Sequence, residues 1–324
     1  MSNTKVTYMG LELENPIVVS SCGLSGTADK IAACAEAGAG AVIVKSIFQE
    51  EIDEAIKQMD SSSHPESHDY IAEMQTGFDM ERYCNTIREA KKRTSVPIIG
   101  SVNAFRQEWW VERLPQLAEA GADAIELNLA LLPQDYSTDE TEIRKWYTDT
   151  VHTASQSTKV PLAIKIGPYF TSIPLMVDEL RKAGASSVTL FNRFFQFDID
   201  TDNFRLKSAS PFSSSADLAM PLRWISLLYH KKQLELAASS GIHTADDLIK
   251  VLLAGAQVGQ VCSSLYKDGL DTIKKMHAGL TEYMKKHHFT SIEQFRGKVS
   301  QSQSFIPEDF ERIQYIKTLT GVQS

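Results

Sequence analysis

The sequence lacks the features that mark membrane, secreted or nucleic-acid-binding proteins. No apolar run approaches the roughly 20 residues that a membrane-spanning helix needs. The four cysteines, Cys22, Cys34, Cys84 and Cys262, have neither CxxC nor metal-type spacing. Acidic residues outnumber basic ones by 41 to 33, and the formal charge of −8 disfavours nucleic acid or an anionic membrane as a partner. We therefore expect a cytoplasmic protein with reduced thiols, no signal peptide, no metal site and a small-molecule ligand.

What the sequence does have is a recurring signature, in which an amphipathic stretch runs into a glycine and then into an apolar stretch. Glycine adopts the left-handed conformation that ends a helix, and a buried strand then begins. The four copies are Ala37-Gly38-Ala39-Gly40, Ala120-Gly121-Ala122-Asp123, Ala183-Gly184-Ala185-Ser186 and Ala254-Gly255-Ala256-Gln257. This repeat is typical of parallel strands joined by helical crossovers.

Eight candidate strands are spaced along the chain, with helical patterns in most of the gaps. The strands are Ile17–Ser20, Ala41–Lys45, Ile98–Val102, Ala124–Leu129, Leu162–Ile166, Ser187–Phe191, Leu234–Ala238 and Gln257–Val261. The helices include Ala28–Glu36, Met80–Lys92, Glu108–Glu119, Ile173–Lys182 and Ala245–Leu253. Eight such units predict an α/β fold of the (β/α)8 TIM-barrel type. A doubly wound open sheet is the alternative, although no GxGxxG turn follows the first strand.

We expect one domain over residues 1–300, followed by a C-terminal extension over residues 301–324. Two long connections, Ser46–Asp79 and Arg193–Asp217, are polar and rich in turn-forming residues. Each follows the carboxyl end of a strand, where barrel enzymes build their sites. They are predicted to be long βα-loop insertions at that face.

The stretch Ala124–Leu129 carries polar side chains at alternate positions. On a strand, Glu126 and Asn128 point to one side, and the leucines and isoleucine between them point to the other. An apolar side suits the covering helices, so we predict that Glu126 faces the barrel interior. A buried carboxylate needs a cation, and Lys165 on the next strand is the predicted partner.

Polar residues recur where the predicted strands end. They are Ser20, Ser21, Lys45, Ser101, Asn103, Asn128, Lys165 and Asn192. A lysine that closes an apolar strand must reach water, a partner or a ligand. In addition, small-residue turns follow the seventh and eighth strands, at Ser239-Ser240-Gly241 and Cys262-Ser263-Ser264, where barrels commonly bind phosphate. Their convergence at one mouth predicts a ligand site.

An ordered series of short motifs resembles the dihydroorotate dehydrogenases, most closely the soluble class 1 enzymes. The motifs are Asn15-Pro16, Ser20-Ser21-Cys22-Gly23, Val44-Lys45-Ser46, Gly77-Phe78-Asp79, Glu126-Leu127-Asn128-Leu129, Ile164-Lys165, Ser240-Gly241-Ile242 and Leu265-Tyr266-Lys267-Asp268-Gly269. The resemblance implies a barrel that holds FMN non-covalently at its carboxyl-end mouth, usually in a homodimer, in an oxidoreductase of pyrimidine biosynthesis.

The resemblance also implies roles for particular residues. The implied cofactor-binding residues are Ser21, Cys22, Lys45, Ser46, Asn128, Lys165, Asn192, Ser240, Gly241, Cys262 and Ser263. The implied substrate-binding residues are Lys45, Asn128, Asn192 and Arg193. A lysine beside the pyrimidine edge of a flavin would stabilise the anionic reduced form. We expect Arg193 to bind an anionic group of the ligand; a salt bridge to a surface acid such as Asp198 or Asp200 is the alternative.

The sequence departs from the family at the positions that carry its chemistry. Leu131 stands where the family has a Ser or Cys base, so the catalytic residue is unknown. The segment Asp69–Gly77 lacks the asparagines of the family's substrate loop, and Ser240 and Cys262 each replace a glycine of a phosphate turn. We therefore predict a divergent branch with its flavin site largely kept and dihydroorotate oxidation impaired. Two alternatives stay open: a flavin-binding protein without turnover, and a Schiff-base aldolase that uses Lys165.

Overall fold

The computed structural model of the chain describes residues 3–48, 80–103, 107–131, 137–193, 197–208, 210–229 and 234–310. The strands are β1 (Val6–Tyr8), β2 (Leu11–Leu13), β3 (Ile17–Val19), β4 (Ala41–Ile43), β5 (Ile47–Phe48), β6 (Ile98–Asn103), β7 (Ala124–Asn128), β8 (Leu162–Ile166), β9 (Ser187–Leu190), β10 (Phe197–Asp200), β11 (Arg205–Ser208), β12 (Glu235–Ser239) and β13 (Val258–Val261). The helices are α1 (Ala28–Glu36), α2 (80–93), α3 (Gln107–Glu119), α4 (Glu140–Ser157), α5 (Ile173–Ala183), α6 (Ala219–Leu228), α7 (Ala245–Ala254), α8 (Ser263–Asp268) and α9 (Asp271–Lys286).

Eight parallel strands form a closed barrel in the order β3, β4, β6, β7, β8, β9, β12, β13. The pairing of β4 with β6, which sets Val42 opposite Ile98, and that of β13 with β3 complete the ring. The strands alternate with helices, so the predicted (β/α)8 barrel is confirmed and the open-sheet alternative is wrong. All eight predicted strands overlap the observed ones.

The glycine stops that the sequence predicted do end helices. In α5, the Ser172 side chain accepts a hydrogen bond from the Leu175 amide and starts the helix, and Gly184 ends it at φ +114°. A Cβ on Gly184 would lie 2.6 Å from the Ser155 Cβ, so glycine is required both for its φ and for the space it leaves. The next strand, β9, begins three residues later.

The barrel wall is apolar towards the helices. The alternate residues Ile125 and Leu127 of β7 are fully buried, as are the helix residues Leu180 and Leu252. Burying one such side chain contributes about 1.5–3 kcal/mol. At the amino end of the barrel, the β1–β2 hairpin packs across the opening, where the Ser187 hydroxyl donates a hydrogen bond of 3.1 Å to the Tyr8 hydroxyl. Burial raises the pKa of Tyr8, which keeps this phenol neutral.

The connection after β9 contains structure that the sequence analysis did not predict. Strands β10 and β11 form an antiparallel hairpin, and a 3-10 helix follows at Ser215–Leu218. The insertion does follow the carboxyl end of a strand, as expected. Of the other predicted insertion, Ser46–Asp79, only the first three residues are described, and they include β5. The rest lies outside the described residues.

The chain after α9 packs on the outside of the barrel. The amides of Gly297 and Val299 donate hydrogen bonds to the carbonyls of Leu252 and Leu253 in α7. Of the predicted C-terminal extension, residues 311–324 lie outside the described part. Among the described helices, none is both long enough and apolar enough to cross a bilayer.

Candidate functional site

Two opposite charges are buried inside the barrel. Glu126 on β7 and Lys165 on β8 both point inward, and the Lys165 Nζ lies 3.7 Å from the Glu126 Oε1. This confirms the predicted orientation of β7 and the predicted partner of Glu126. Because 3.7 Å is too long for a direct hydrogen bond, other groups must supply the hydrogen bonds that the ammonium and the carboxylate require.

Gln260 on β13 links the two charges. Its Oε1 accepts a hydrogen bond of 3.0 Å from the Lys165 Nζ, and its Nε2 donates one of 2.5 Å to the Glu126 Oε2. Thr189 on β9 donates to the same carboxylate oxygen, and Ser20 accepts from Lys165. The result is a buried network drawn from five strands or strand ends, in which the position of the ammonium group is fixed.

The sequence analysis did not assign Gln260 or Thr189 to the site. The available signal was weak: Gln260 is the single polar side chain of β13, and Thr189 is one of two hydroxyl residues on β9. An amide or a hydroxyl at such a position is equally compatible with a local backbone contact. Glu126 and Lys165 were identifiable because a buried charge has far fewer acceptable environments.

A polar cavity of about 200 Å³ opens at the carboxyl end of the barrel. Eight of the predicted site residues line it, namely Ser21, Lys165, Asn192, Arg193, Ser240, Gly241, Cys262 and Ser263. The family-implied set is therefore brought together largely as expected. Two cations, several hydroxyls and a carboxamide around one cavity suit an anionic ligand that accepts hydrogen bonds.

Three more predicted residues lie next to residues that line the cavity but do not line it themselves. The Ser46 hydroxyl lies 2.8 Å from that of Ser21, and the Asn192 Nδ2 donates to the Asn128 Oδ1 at 2.9 Å. Cys22 directly follows the lining residue Ser21 in the chain. Lys45, by contrast, is exposed and does not line the cavity.

The turn after β12 has the backbone expected of a phosphate-binding turn. Ser240 and Gly241 both have positive φ, +78° and +81°. A serine in this left-handed region costs about 1–2 kcal/mol relative to a right-handed conformation. A Cβ on Gly241 would lie 2.3 Å from the Leu218 amide nitrogen, so that position admits only glycine.

A segment over residues 210–217 borders the cavity and is tied to it. The Ser213 amide donates to the Ser263 hydroxyl at 3.0 Å, and the Lys267 Nζ donates to the Ser213 carbonyl at 2.7 Å. The Ser213 hydroxyl lies 3.0 Å from the His243 Nε2. Burial is the main cause that lowers the pKa of His243, with the Lys267 charge second. This imidazole therefore favours its neutral form.

Arg193 lines the cavity but is also paired within the protein. Its Nη1 donates to the Ser210 carbonyl at 3.0 Å, and its Nε lies 3.6 Å from the Asp217 Oδ1. The predicted alternative, a salt bridge to an acid of the protein, is thus observed with Asp217. The two example partners were wrong, because Asp198 pairs with Lys207 and Asp200 with Arg205, both within the hairpin. Arg193 thus holds the bordering segment while presenting charge to the cavity.

Leu131 offers no acid–base group. Its side chain packs partly buried against the core, and its amide donates a hydrogen bond of 3.1 Å to the Tyr147 hydroxyl. Residues 132–136 and the segment Asp69–Gly77 lie outside the described residues. A hydrocarbon side chain thus follows the end of β7 at Leu131, and the absence of the family base there stays a prediction.

Comparison with known proteins identifies the family. The dihydroorotate dehydrogenase family model matches residues 3–284. The catalytic subunit of dihydroorotate dehydrogenase B (NAD(+)) from Thermoplasma volcanium is 27% identical over 314 residues, which cover 92% of this chain and 98% of that protein. The same subunit from Methanocaldococcus jannaschii is 24% identical over 305 residues, covering 89% and 96%.

A third relative matches over a shorter length. The dihydroorotate dehydrogenase (fumarate) of Lachancea kluyveri is 30% identical over 152 residues, which cover 44% of this chain and 48% of that protein. The family model nevertheless extends over most of the chain, and the two archaeal relatives align along nearly their whole length. The chain therefore belongs to the dihydroorotate dehydrogenase family, whose enzymes are FMN-dependent oxidoreductases.

Proposed function

We propose that this protein is an FMN-binding oxidoreductase that does not oxidise dihydroorotate at a normal rate and acts on another substrate. The observation that carries this proposal is the hydrocarbon side chain of Leu131 just after β7, where the resemblance places the family's proton-abstracting base. The polar cavity at the barrel mouth is meanwhile retained. A positioned base typically contributes about 10²–10⁴-fold to the rate, so its loss removes most of that reaction.

The residues around the cavity fit FMN. The turn Ser240-Gly241 and the Ser263 hydroxyl, which lie near the ends of the last two barrel strands, would hold its phosphate. Lys165, fixed by Glu126 and Gln260, would face the flavin ring and favour negative charge there. When bound, FMN supplies the hydride-accepting group that no side chain can supply.

The aldolase alternative is disfavoured by the surroundings of Lys165. Its Nζ faces the Glu126 carboxylate and donates to the oxygens of Gln260 and Ser20. These contacts hold the Nζ inside the barrel, so that it is not free to approach a carbonyl carbon. Borohydride in the presence of simple aldehydes should therefore leave Lys165 unmodified.

The first experiment is the absorbance spectrum of the purified protein. We expect a flavin spectrum and release of FMN on denaturation, identified by chromatography. A colourless protein that also fails to take up added FMN would contradict the proposal.

The second experiment tests turnover. Anaerobic mixing of FMN-loaded protein with excess dihydroorotate should leave the flavin absorbance unchanged for minutes. Leu131→Cys should restore little activity, because one thiol does not replace the missing loop asparagines. Bleaching of the wild-type flavin within seconds would show that another group acts as the base.

Arg193 is proposed to bind an anionic group of the substrate. It lines the cavity, and its guanidinium can pair with a carboxylate in a two-pronged geometry. Arg193→Ala should weaken binding of orotate, used as an anionic probe, by about tenfold or more. Arg205→Ala, a change in the hairpin beyond the cavity, is the matched control. Equal orotate affinity in both variants would refute the role.

A homodimer is also proposed, with the β10–β11 hairpin as the contact. One face of this hairpin carries the exposed side chains of Phe197, Ile199 and Leu206, and the other carries two ion pairs. An apolar face without charges is complementary to a copy of itself across a two-fold axis. An isolated two-stranded hairpin is marginally stable in water, which favours such a cover.

A further inference from the structure

Gln260 reaches across the barrel interior with all of its hydrogen-bonding capacity in use. It is buried on β13, which lies on the opposite side of the ring from β7. Its Oε1 accepts from the Lys165 Nζ at 3.0 Å and from the Ser20 hydroxyl at 3.3 Å. Its Nε2 donates to the Glu126 Oε2 at 2.5 Å and to the Thr189 hydroxyl at 3.2 Å. A side-chain amide has two acceptor and two donor sites, so none is left over.

The orientation of this amide is determined by its partners. An ammonium group only donates hydrogen bonds, and a carboxylate only accepts them. The carbonyl end of Gln260 must therefore face Lys165, and its amino end must face Glu126. Among uncharged side chains of this length, only glutamine offers both an acceptor and a donor.

The two charges that Gln260 bridges are close but do not touch. The Lys165 Nζ lies 3.7 Å from the Glu126 Oε1, which is buried and has no hydrogen bond within the described part of the chain. A direct hydrogen bond between an ammonium group and a carboxylate is about 2.7–2.9 Å long. Closure of the gap would therefore satisfy this oxygen. Gln260 is bonded to both charges and keeps them in the open arrangement.

The open arrangement leaves the ammonium group available to a ligand. Lys165 lines the cavity at the barrel mouth. Gln260 and Ser20 take two of its three N–H donors, and the third has no acceptor among the described residues. If the ammonium group closed onto Glu126, this donor would be taken and the carboxylate would cancel more of the positive charge at the cavity.

We propose that Gln260 is a positioning residue, which keeps the Lys165 ammonium group open to the cavity and so favours the binding of reduced over oxidised FMN. Gln260 also lines the cavity, but it has no free donor or acceptor for a ligand, so its effect must pass through Lys165. The first part concerns the protein alone. The second part rests on the proposed FMN site, where a cation favours the anionic reduced flavin.

The first test is a crystal structure of the full-length variant Gln260→Met, and its readout does not depend on bound flavin. We expect the Lys165 Nζ to lie within about 3 Å of a Glu126 carboxylate oxygen. Gln260→Asn is the second variant, because its amide is one methylene too short to bond both charges, and the pair should close in the same way.

Gln257→Met is the matched control for this structure. Gln257 lies on the same side of the barrel sequence, three residues before Gln260, and its amide donates to the Thr7 carbonyl at the surface. The separation of 3.7 Å between the Lys165 Nζ and the Glu126 Oε1 should persist in this variant. The same separation in the Gln260 variants would overturn the proposal.

The second test measures the midpoint potential of bound FMN by anaerobic titration at saturating flavin. In Gln260→Met, the affinity for reduced relative to oxidised FMN should fall about tenfold, which lowers the two-electron potential by about 30 mV. A loss of packing alone would weaken the binding of both forms equally and would not move the potential. Gln257→Met should keep the wild-type value. An unchanged potential in Gln260→Met would refute the second part.

A double-mutant cycle shows whether Gln260 acts through Lys165. Lys165→Met removes the ammonium group, so Gln260→Met should shift the potential when Lys165 is present and not when it is absent. Equal shifts in both backgrounds would overturn the positioning role. Failure of the wild-type protein to bind FMN would refute the second part with the proposed function, while the crystal structures still decide the first part.

Discussion

Gln260 is the residue on which the arrangement of buried charge depends. Its amide accepts from Lys165 through one end and donates to Glu126 through the other. Within the described residues, the Glu126 Oε1 has no hydrogen bond, and the Lys165 ammonium lies 3.7 Å from it. The pair is therefore already under-solvated, and losing the bridge would leave both ions poorly compensated.

We predict that Gln260→Leu lowers the free energy of unfolding by about 1–3 kcal/mol, since it leaves buried polar groups unpaired. The measurement is urea denaturation followed by circular dichroism. Gln257→Leu is the matched control, because the Gln257 side-chain amide donates its hydrogen bond to the Thr7 carbonyl at the surface. Equal losses in the two variants would show that the interior network adds nothing to stability.

His243 gives a pH dependence with a definite sign. Burial lowers its folded-state pKa below the ordinary value of 6.5, so the unfolded chain binds its proton more readily. The neutral ring therefore contributes stability that is present above pH 6.5 and is lost as the pH falls. Unfolding free energies at pH 8 and pH 5.5 should differ less in His243→Gln than in the wild type. An unchanged difference would exclude His243 as a source of the pH dependence.

The chemistry of each site residue determined whether its role could be predicted from the sequence. Glu126 and Lys165 were found because two charges at inward positions of neighbouring strands must meet. The partners of Arg193 were not found, because Asp217 and the Ser210 carbonyl belong to an irregular segment whose path no periodicity encodes. The bridging role of Gln260 was not predictable, because β13 pairs with its neighbouring strands only in the closed barrel.

Among the elements of the fold, the β10–β11 hairpin is the one that the sequence indicates least clearly. Its turn-rich surroundings predict a loop, although Phe197-Asp198-Ile199-Asp200 alternates apolar and charged residues with the period of a strand. The polar turn residues around it concealed that signal. The five barrel helices for which the sequence predicted bounds, by contrast, agree with the structure to within about a residue, because caps and glycine stops mark helix ends.

The hairpin supplies a prediction about assembly. The double variant Ile199→Ser/Leu206→Ser should convert a dimer into monomers, because these two side chains lie opposite each other on the exposed apolar face. Lys207→Gln, on the charged face, should leave the dimer intact. Light scattering after size-exclusion chromatography gives the mass directly. A wild-type monomer, or a double variant that stays dimeric, would rule out this interface.

For the whole molecule, the sequence predicted the architecture better than the chemistry. The barrel follows from eight repeats of one local pattern, each encoded by nearby residues. The substrate depends instead on a few side chains around one cavity, and the predicted loss of the base at Leu131 would remove an activity without changing the fold. Fold and activity are therefore separate questions in this chain.

The closure of the barrel sets the order in which the protein can be made. Strand β3 pairs on one side with β4 and on the other with β13, so that Ile17 lies opposite Gly259. At a typical rate of synthesis, β3 leaves the ribosome on the order of ten seconds or more before its second partner. During that interval β3 has an open hydrogen-bonding edge, and such edges are templates for aggregation. The nascent chain cannot fold segment by segment, and a product that ends before Val261 would keep this edge permanently exposed.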